Sequence, residues 1–394
     1  MKQTILVTGG TGFIGSHTSV ELIEAGYNVV IIDNLSNSKM EVVDGIEKIT
    51  GVRPAFENVD LRDKEATEGV FKKYPGIAGI IHFAASKAVG ESVQKPLLYY
   101  RNNIVSLVNL LELMPKYNVK GIIFSSSCTV YGQPKPENLP VTEDAPHQKA
   151  TSPYGNTKEI NEQIIYDYIH SGANIKSIIL RYFNPIGAHP SALIGELPNG
   201  VPANLIPYVT QTAMGIREQL TIFGNDYPTP DGTGVRDYIH VVDLAKGHVA
   251  ACDYAAKHNG CEIINLGTGV GYSVLDIVNT FSRVNQVPVP YVIGPRRDGD
   301  LACCWADTKK AKDVLGWTAE KTVEDMCRDS WNFVKRLSGQ MSNGARQFPE
   351  TGDFAPFCAN RFCADGLFYF HVELFRCAGE SPLRRRNPRI NTRA

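Results

Sequence analysis

No apolar run in this chain of 394 residues approaches the ~18 residues of a membrane span, so no spanning helix is expected. No secretory leader is expected either. Met1-Lys2-Gln3 runs straight into Thr4-Ile5-Leu6-Val7-Thr8, which reads as a strand and leaves no room for an apolar core and a small-residue cleavage site. An excess of one charge is also lacking. Forty Lys and Arg offset 41 Asp and Glu, so no bulk attraction toward nucleic acid or an anionic membrane arises. The nine Cys include no C-x-x-C and no paired zinc spacing. Reduced thiols in the cytoplasm, with no metal, are the expectation. The nine His are scattered, and His240 and His248, eight apart, read as structural. Lysine is missing altogether from residues 339–394. That stretch is Arg-rich, with Arg384-Arg385-Arg386, holds Cys358, Cys363 and Cys377, and shows no sustained periodicity. It reads as a poorly ordered appendage outside the functional domain.

What is present is a globular composition, 43% hydrophobic and 21% charged, in a chain long enough for two domains. The first half alternates β-rich runs (5–8, 29–33, 54–58, 79–82, 121–125, 177–181) with helical segments (12–24, 64–73, 96–117, 152–170). The runs are nearly continuous in apolar residues, as in strands buried on both faces of a parallel sheet. This predicts an α/β fold, a Rossmann-type doubly wound sheet over residues 1–181. Beyond it Pro and Gly crowd 184–207 and 224–234, and helices are expected at 204–215, 241–256, 273–284 and 323–337. Residues 182–338 therefore read as a smaller α/β domain that binds substrate, with some segments returning to the first. No internal repeat occurs.

Thr8-Gly9-Gly10-Thr11-Gly12-Phe13-Ile14-Gly15 follows the first strand and opens a helix. Gly10, Gly12 and Gly15 fit G-x-G-x-x-G, while Gly9, Gly12 and Gly15 fit G-x-x-G-x-x-G. Either way, glycines let backbone N–H groups approach a pyrophosphate, and the helix N-terminus turns partial positive charge toward it. The second strand ends in Asp33, eighteen residues past Gly15. An acid there accepts hydrogen bonds from adenosine ribose and repels a 2′-phosphate, and no Arg follows it directly. The cofactor read from this pattern is NAD rather than NADP.

Tyr154 and Lys158 lie four apart on an expected helix and share a face. An ammonium beside a phenol stabilises the phenolate, lowers its pKa and makes it a usable base. A second Tyr-x-x-x-Lys, Tyr131 and Lys135, is broken by Pro134 and reads as a turn. Tyr154 also follows the fifth strand, whose end carries Ser125-Ser126-Ser127, and carboxyl ends of parallel strands are where ligands bind. A serine there can relay a proton between substrate and tyrosine.

Together these residues resemble the extended short-chain dehydrogenases/reductases. Asp33-Asn34-Leu35-Ser36-Asn37-Ser38, Lys87-Ala88-Val89-Gly90-Glu91-Ser92, the run 125–132, Arg181-Tyr182-Phe183-Asn184-Pro185 and Gly234-Val235-Arg236-Asp237-Tyr238-Ile239-His240 closely resemble the UDP-glucose 4-epimerase family. The resemblance covers roughly 3–337. It implies catalysis by Ser127, Tyr154 and Lys158, and NAD contacts from Gly9, Gly12, Phe13, Ile14, Gly15, Asp33, Asn34, Leu35, Ser36, Asn37, Ser38, Asp60, Leu61, Phe83, Ala84, Ala85, Ser86, Lys87, Asn102, Ser127, Tyr154, Lys158 and Phe183. It implies that Lys87, Ser127, Tyr154, Asn184, Asn204, Arg236, Arg297, Asp300 and Cys304 meet a UDP-sugar, the two Arg forking onto the diphosphate. The implied reaction takes a proton from the sugar 4-hydroxyl and a hydride from C4, then returns the hydride to the other face. A homodimer is implied as well. Family members limited to plain hexoses resemble one another in having a bulky Tyr at position 304, where this chain has Cys. Admission of N-acetylated UDP-sugars is therefore expected, although Ala302 replaces a usual Pro nearby. A 4,6-dehydratase of the same superfamily is disfavoured because Ser127-Cys128-Thr129-Val130 contains no acidic pair. A sensor that binds NAD without turnover is disfavoured by the presence of both Tyr154 and Lys158.

Overall fold

The computed structural model describes residues 2–344 except 201, 203, 298 and 299. In it the six apolar runs become strands of one sheet: β1 (Thr4–Thr8), β2 (Asn28–Asp33), β3 (Ala55–Asn58), β4 (Ile77–His82), β5 (Gly121–Ser127) and β6 (Lys176–Tyr182). Between them run α1 (Phe13–Glu24), α2 (Glu41–Thr50), α3 (Lys64–Lys73), α4 (Val89–Gln94), α5 (Pro96–Lys116) and α6 (Pro153–His170). The second half adds β7 (Asn184–Ile186), β8 (Leu220–Phe223), β9 (Val235–His240), β10 (Cys261–Leu266), β11 (Gly271–Ser273), β12 (Tyr291–Gly294) and β13 (Cys303–Cys304). Its helices are α7 (Leu205–Ala213), α8 (Val241–Lys257), α9 (Val274–Asn285), α10 (Lys309–Leu315) and α11 (Val323–Gly344).

The main sheet is parallel, in the order β10-β6-β5-β4-β1-β2-β3. Its side chains alternate between two cores, as a period of two requires. Leu6, Ile80, Ile122 and Ile179 face Phe71, Leu107, Leu110 and Ile165 of α3, α5 and α6. Val7, Ile81, Ile123 and Leu180 face Val20, Ile46, Leu244 and Ala251 of α1, α2 and α8. Both faces are thus covered, which is why the strands read as continuous apolar runs. Strand order reverses between β1 and β4. That is the switch point outside which an open α/β sheet binds its ligand.

The second half is built differently. A short mixed sheet of β7, β9, β11 and β13 is pinned by the buried Asp237 carboxylate, which accepts from Thr268 N (2.8 Å), Gly269 N (3.0 Å) and Ala306 N (3.1 Å). Helices α7, α9 and α11 close a separate apolar core around Val209, Phe281 and Met326. The expected boundary at 338 falls inside α11, which runs on to Gly344. Gly339 costs a helix interior about 1 kcal/mol relative to Ala, too little to end one. The expectation for 339–394 otherwise concerns 345–394, which lie outside the described residues. Among the described residues no helix is long and apolar enough to cross a membrane.

Candidate active site

A cavity of about 840 Å³ opens beyond the carboxyl ends of β1, β2, β4 and β5. Its floor is the glycine turn. Gly9 has φ +69°, and a Cβ there would stand 2.8 Å from Ala84 N. At Gly15 a Cβ would lie 2.3 Å from Gly9 O, so helix and turn touch backbone to backbone. Gly12 joins Gly9 and Gly15 on the cavity wall, while Gly10 packs beneath against Ile31. The wall therefore follows the G-x-x-G-x-x-G spacing of the two that fit. No side chain caps α1, which leaves the donors of its first turn for a ligand.

Asp33 sits at the end of β2 and organises the next wall. Its carboxylate accepts from Thr11 N (3.2 Å), Leu35 N (2.9 Å) and Ser38 Oγ (3.1 Å). Leu35 is held at φ +56° by this turn and does not reach the wall. Asp60 is gripped by Arg62 through Nε (3.0 Å) and Nη2 (2.6 Å), and that guanidinium lowers its pKa to about 2. Arg62 and Lys39 also line this end. They are cations that the reading of Asp33 alone passed over, and Arg62, two residues past Asp60, was the available signal. Beyond β4 the wall continues from Phe83 to Lys87. Asn103, 1% exposed, binds Ser86 N (2.8 Å) and Ser86 O (3.0 Å) as well as Thr157 on α6, and Asn102 reaches Ser86 Oγ (3.0 Å).

Of the expected cofactor contacts, Gly9, Gly12, Phe13, Ile14, Gly15, Asp33, Asn34, Ser36, Asn37, Ser38, Asp60, Leu61, the run 83–87, Asn102, Tyr154 and Lys158 line this cavity. Phe183 lies instead in a buried cluster with Val130, Tyr131, Cys304 and Ala306.

The expected catalytic face comes from α6, which is capped by Ser152, whose side chain accepts from Gly155 N (3.1 Å). Tyr154 and Lys158 both reach the cavity. The Ser127 hydroxyl accepts from Thr129 N (3.2 Å) and lies close enough to the Tyr154 phenol to favour its ionised form. Here the structure departs from expectation. Burial, reinforced by Cys128, raises the phenol pKa above its ordinary value despite Ser127. The Lys158 amine donates to Ser125 O (2.5 Å) and stands 5.8 Å from the Tyr154 ring centre. Burial also brings Lys158 down to about 8, opposed by Glu162. Adjacency on the helix face is as expected, but desolvation outweighs it. Tyr131 is 1% exposed and donates to Asn265 Oδ1 (2.7 Å), while Lys135 is exposed beside Glu137. The second Tyr-x-x-x-Lys is structural.

The expected substrate residues fall into two groups. Lys87 and Asn204 meet on Glu196, at 3.4 and 2.6 Å, and all three line the cavity. Sequence reasoning missed Glu196, because a Glu in a Pro/Gly-rich loop reads as solvated surface. The second group is Arg236 and Arg297, which converge on Asp300 at 2.5 and 3.3 Å. Asn184 opens β7 opposite Tyr238. Cys304 pairs in register with Arg236, is 1% exposed and packs in one cluster with Cys128. Asn184, Arg236, Arg297, Asp300, Cys304 and Ser127 are not on the cavity wall. His240 accepts from Val242 N (3.1 Å) and contacts Asp329 (3.2 Å), and His248 contacts Leu244 O (2.8 Å), so both hold helices. Among the described residues no group of three His, Cys, Asp or Glu is placed to hold a metal.

A parallel sheet with this strand order, a glycine turn at the switch point and a Tyr/Lys pair on the helix after β5 define the extended short-chain dehydrogenase/reductase class. The family model described as GDP-mannose 4,6 dehydratase matches residues 6–330. The UDP-glucose 4-epimerase of Bacillus subtilis is 56% identical over 332 residues, 84% of this chain and 96% of that one. The human enzyme of the same name is 50% identical over 342 residues, 85% of this chain and 97% of that one. Among solved structures, the Bifidobacterium longum UDP-glucose 4-epimerase in complex with NAD+ and UDP aligns with a TM-score of 0.82 at 50% identity, covering 85% of this chain and 99% of that one. The Stenotrophomonas maltophila enzyme, with bound NAD and formylated UDP-arabinopyranose, aligns at 0.83 and 46% identity over 86% of this chain and 99% of that one. This chain belongs to the UDP-glucose 4-epimerase family.

Proposed function

We propose that the chain interconverts UDP-galactose and UDP-glucose by inverting the sugar at C4, with NAD as a bound cofactor that is regenerated in each cycle. The observation that carries the reading is Tyr154 on the wall of a cavity floored by the glycine turn, one helical turn from Lys158 on the same wall. The relatives named above are called by this activity.

The residues fit NAD. Gly9 and Gly15 leave no space for a Cβ, the start of α1 is uncapped, and Asp33 is fixed where ribose hydroxyls can donate to it. When bound, NAD would supply the hydride acceptor and donor for C4. The chain does the rest. Tyr154 takes the proton of the 4-hydroxyl and later returns one, Ser127 bridges hydroxyl and phenol, and the Lys158 charge favours the phenolate. Arg236 and Arg297 hold the diphosphate, and Asp300 accepts from the uridine ribose. Asn184 and Asn204 supply neutral donors to the UDP-sugar. In this division of labour residues 1–181 hold the cofactor and 182–338 the UDP-sugar, with α8 and β10 returning to the main sheet. Incubating purified protein with UDP-galactose and measuring UDP-glucose tests the reading. No conversion with NAD present would refute it.

Position 304 supports a second substrate pair. Cys304 is a small side chain, 1% exposed and packed with Val130, Tyr131 and Phe183, where the resembling plain-hexose enzymes carry a bulky Tyr. UDP-N-acetylgalactosamine should therefore be turned over as well, and failure to convert it would remove this extension.

The working unit we propose is a cytoplasmic homodimer. Leu97 and Val105 on α5 and Tyr166 on α6 are exposed apolar side chains that a second copy would cover. Among the described residues Cys128, Cys252, Cys261, Cys303, Cys304 and Cys327 are free, as a reducing compartment keeps them.

A further inference from the structure

Glu162 stands one turn beyond Lys158 on α6, so Tyr154, Lys158 and Glu162 repeat at four-residue spacing along one face. It is 5% exposed, and its partner Arg181 on β6 is 2% exposed. Arg181 forks onto the carboxylate through Nε (3.0 Å) and Nη2 (2.6 Å). Its remaining nitrogen is taken by Tyr131 Oη and Glu143 O, both at 3.1 Å, so the guanidinium is fixed on both sides. The Ser126 hydroxyl donates to the same carboxylate, and the β5–β6 register sets Ser126 directly against Arg181. One carboxylate thus joins the helix that carries Tyr154 and Lys158, the strand end that carries Ser127, and the next strand.

The surroundings of Lys158 give that carboxylate a second task. From α6, Tyr154 and Glu162 face the amine. From β4 comes His82, held neutral near a pKa of 3 by burial and by the Lys158 charge. From β5 come the Phe124 ring, 5.1 Å away, and the Ser125 carbonyl. Tyr182 of β6 is bound to Ser125, and burial keeps its phenol neutral. Cys128 acts on the Tyr154 phenol. Among the described residues, Glu162 is the group whose charge acts on Lys158, and it works against burial.

We propose that Glu162, clamped by Arg181 and Ser126, is a positioning residue that serves as counter-ion to the Lys158 ammonium and fixes the spacing between Ser127 and Tyr154. Its catalytic consequence rests on the epimerase reading above. Lys158 already sits near a pKa of 8. Losing the anion drops it further, so the ammonium disappears at lower pH.

The test compares wild type with Glu162→Gln and Glu162→Asp, reading both the pH profile of UDP-galactose turnover and the pH dependence of NADH retention by fluorescence. Glu162→Gln should move the alkaline limb about one pH unit lower, with roughly tenfold loss of kcat at pH 8.5, under threefold loss at pH 6.5 and an unchanged KM. NADH retention should weaken over the same interval. Glu162→Asp should restore at least half of the shift. Glu162→Gln leaves Arg181 buried without its counter-charge and can fail to fold. The double variant Glu162→Gln/Arg181→Met removes both charges and should move the limb in the same direction, by less than Glu162→Gln because a cation is lost with the anion. An alkaline limb at the wild-type position in either folded variant, with activity lowered evenly at every pH, would overturn the proposal. A wild-type chain that retains NADH without turning over UDP-galactose would refute the epimerase reading alone, and the retention profile would still decide Glu162.

Discussion

The two ends of the candidate site are built from different materials. At the cofactor end, main chain meets main chain: Gly9 against Ala84, Gly15 against Gly9, and a turn whose N–H groups are tied to Asp33. At the substrate end, long side chains hold one another. Arg236 and Arg297 share Asp300, while Lys87 and Asn204 share Glu196. A backbone cradle cannot be remade without refolding, so it suits a ligand that stays. Paired side chains can exchange one another for a ligand, so they suit a substrate that arrives and leaves.

The contrast fails first, and most severely, if chemistry does not sit on α6. Tyr154→Phe should lower kcat by about 10³-fold while the protein keeps its fold and its NAD, measured by turnover and by cofactor content after purification. Turnover within tenfold of wild type would move the proton transfer elsewhere. Next is the rigid end. Gly15→Ala places a methyl 2.3 Å from a backbone oxygen that cannot move aside. It should cost roughly 1–3 kcal/mol of stability and strip NAD, read by thermal melting and cofactor content. The adjustable end should respond differently. Arg236→Ala should raise KM for UDP-galactose by about 10–100-fold and leave both melting temperature and bound NAD near wild type. A stability loss as large as that of Gly15→Ala would erase the distinction between the two ends. The smallest and most selective effect is expected at Cys304. Cys304→Tyr should abolish turnover of UDP-N-acetylgalactosamine and change that of UDP-galactose by less than about threefold, since overpacking one wall costs on the order of 1–3 kcal/mol.

Legibility in the sequence follows the same division. The glycine turn, Asp33 and the six strands of the first half are governed by local sterics and by burial on both faces, and these leave marks in the order of residues. Tyr154 and Lys158 could be placed because four residues make one helical turn. What stayed hidden depends on partners distant in the chain. β9 reads Val-Arg-Asp-Tyr-Ile-His, a mixture with no period, because Asp237 is satisfied by N–H groups of residues 268, 269 and 306. β7, β11 and β13 are two or three residues long, and each pairs only with β9. Helix α2 was missed although Val43 and Ile46 bury its inner face, for Gly45 interrupts the run. Glu162 and Arg181 look like ordinary charged residues until β6 brings them together. The expected lowering of the Tyr154 pKa failed for a related reason. Helical spacing fixes which groups are close, whereas burial is set by everything packed around them.

The seventh strand of the main sheet, β10, has a consequence for how the protein is made. β6 is complete at Tyr182, yet the neighbour that hydrogen-bonds its outer edge begins at Cys261, roughly eighty residues later. At about 5–20 residues per second of synthesis, that edge waits on the order of ten seconds on the ribosome with its amides unpaired. A nascent chain halted in that interval exposes an open edge ready to pair with another copy. A fragment ending near residue 181 would carry the glycine turn and Asp33 and still be prone to aggregate. The sheet that binds the dinucleotide is finished only by the half of the chain that follows it.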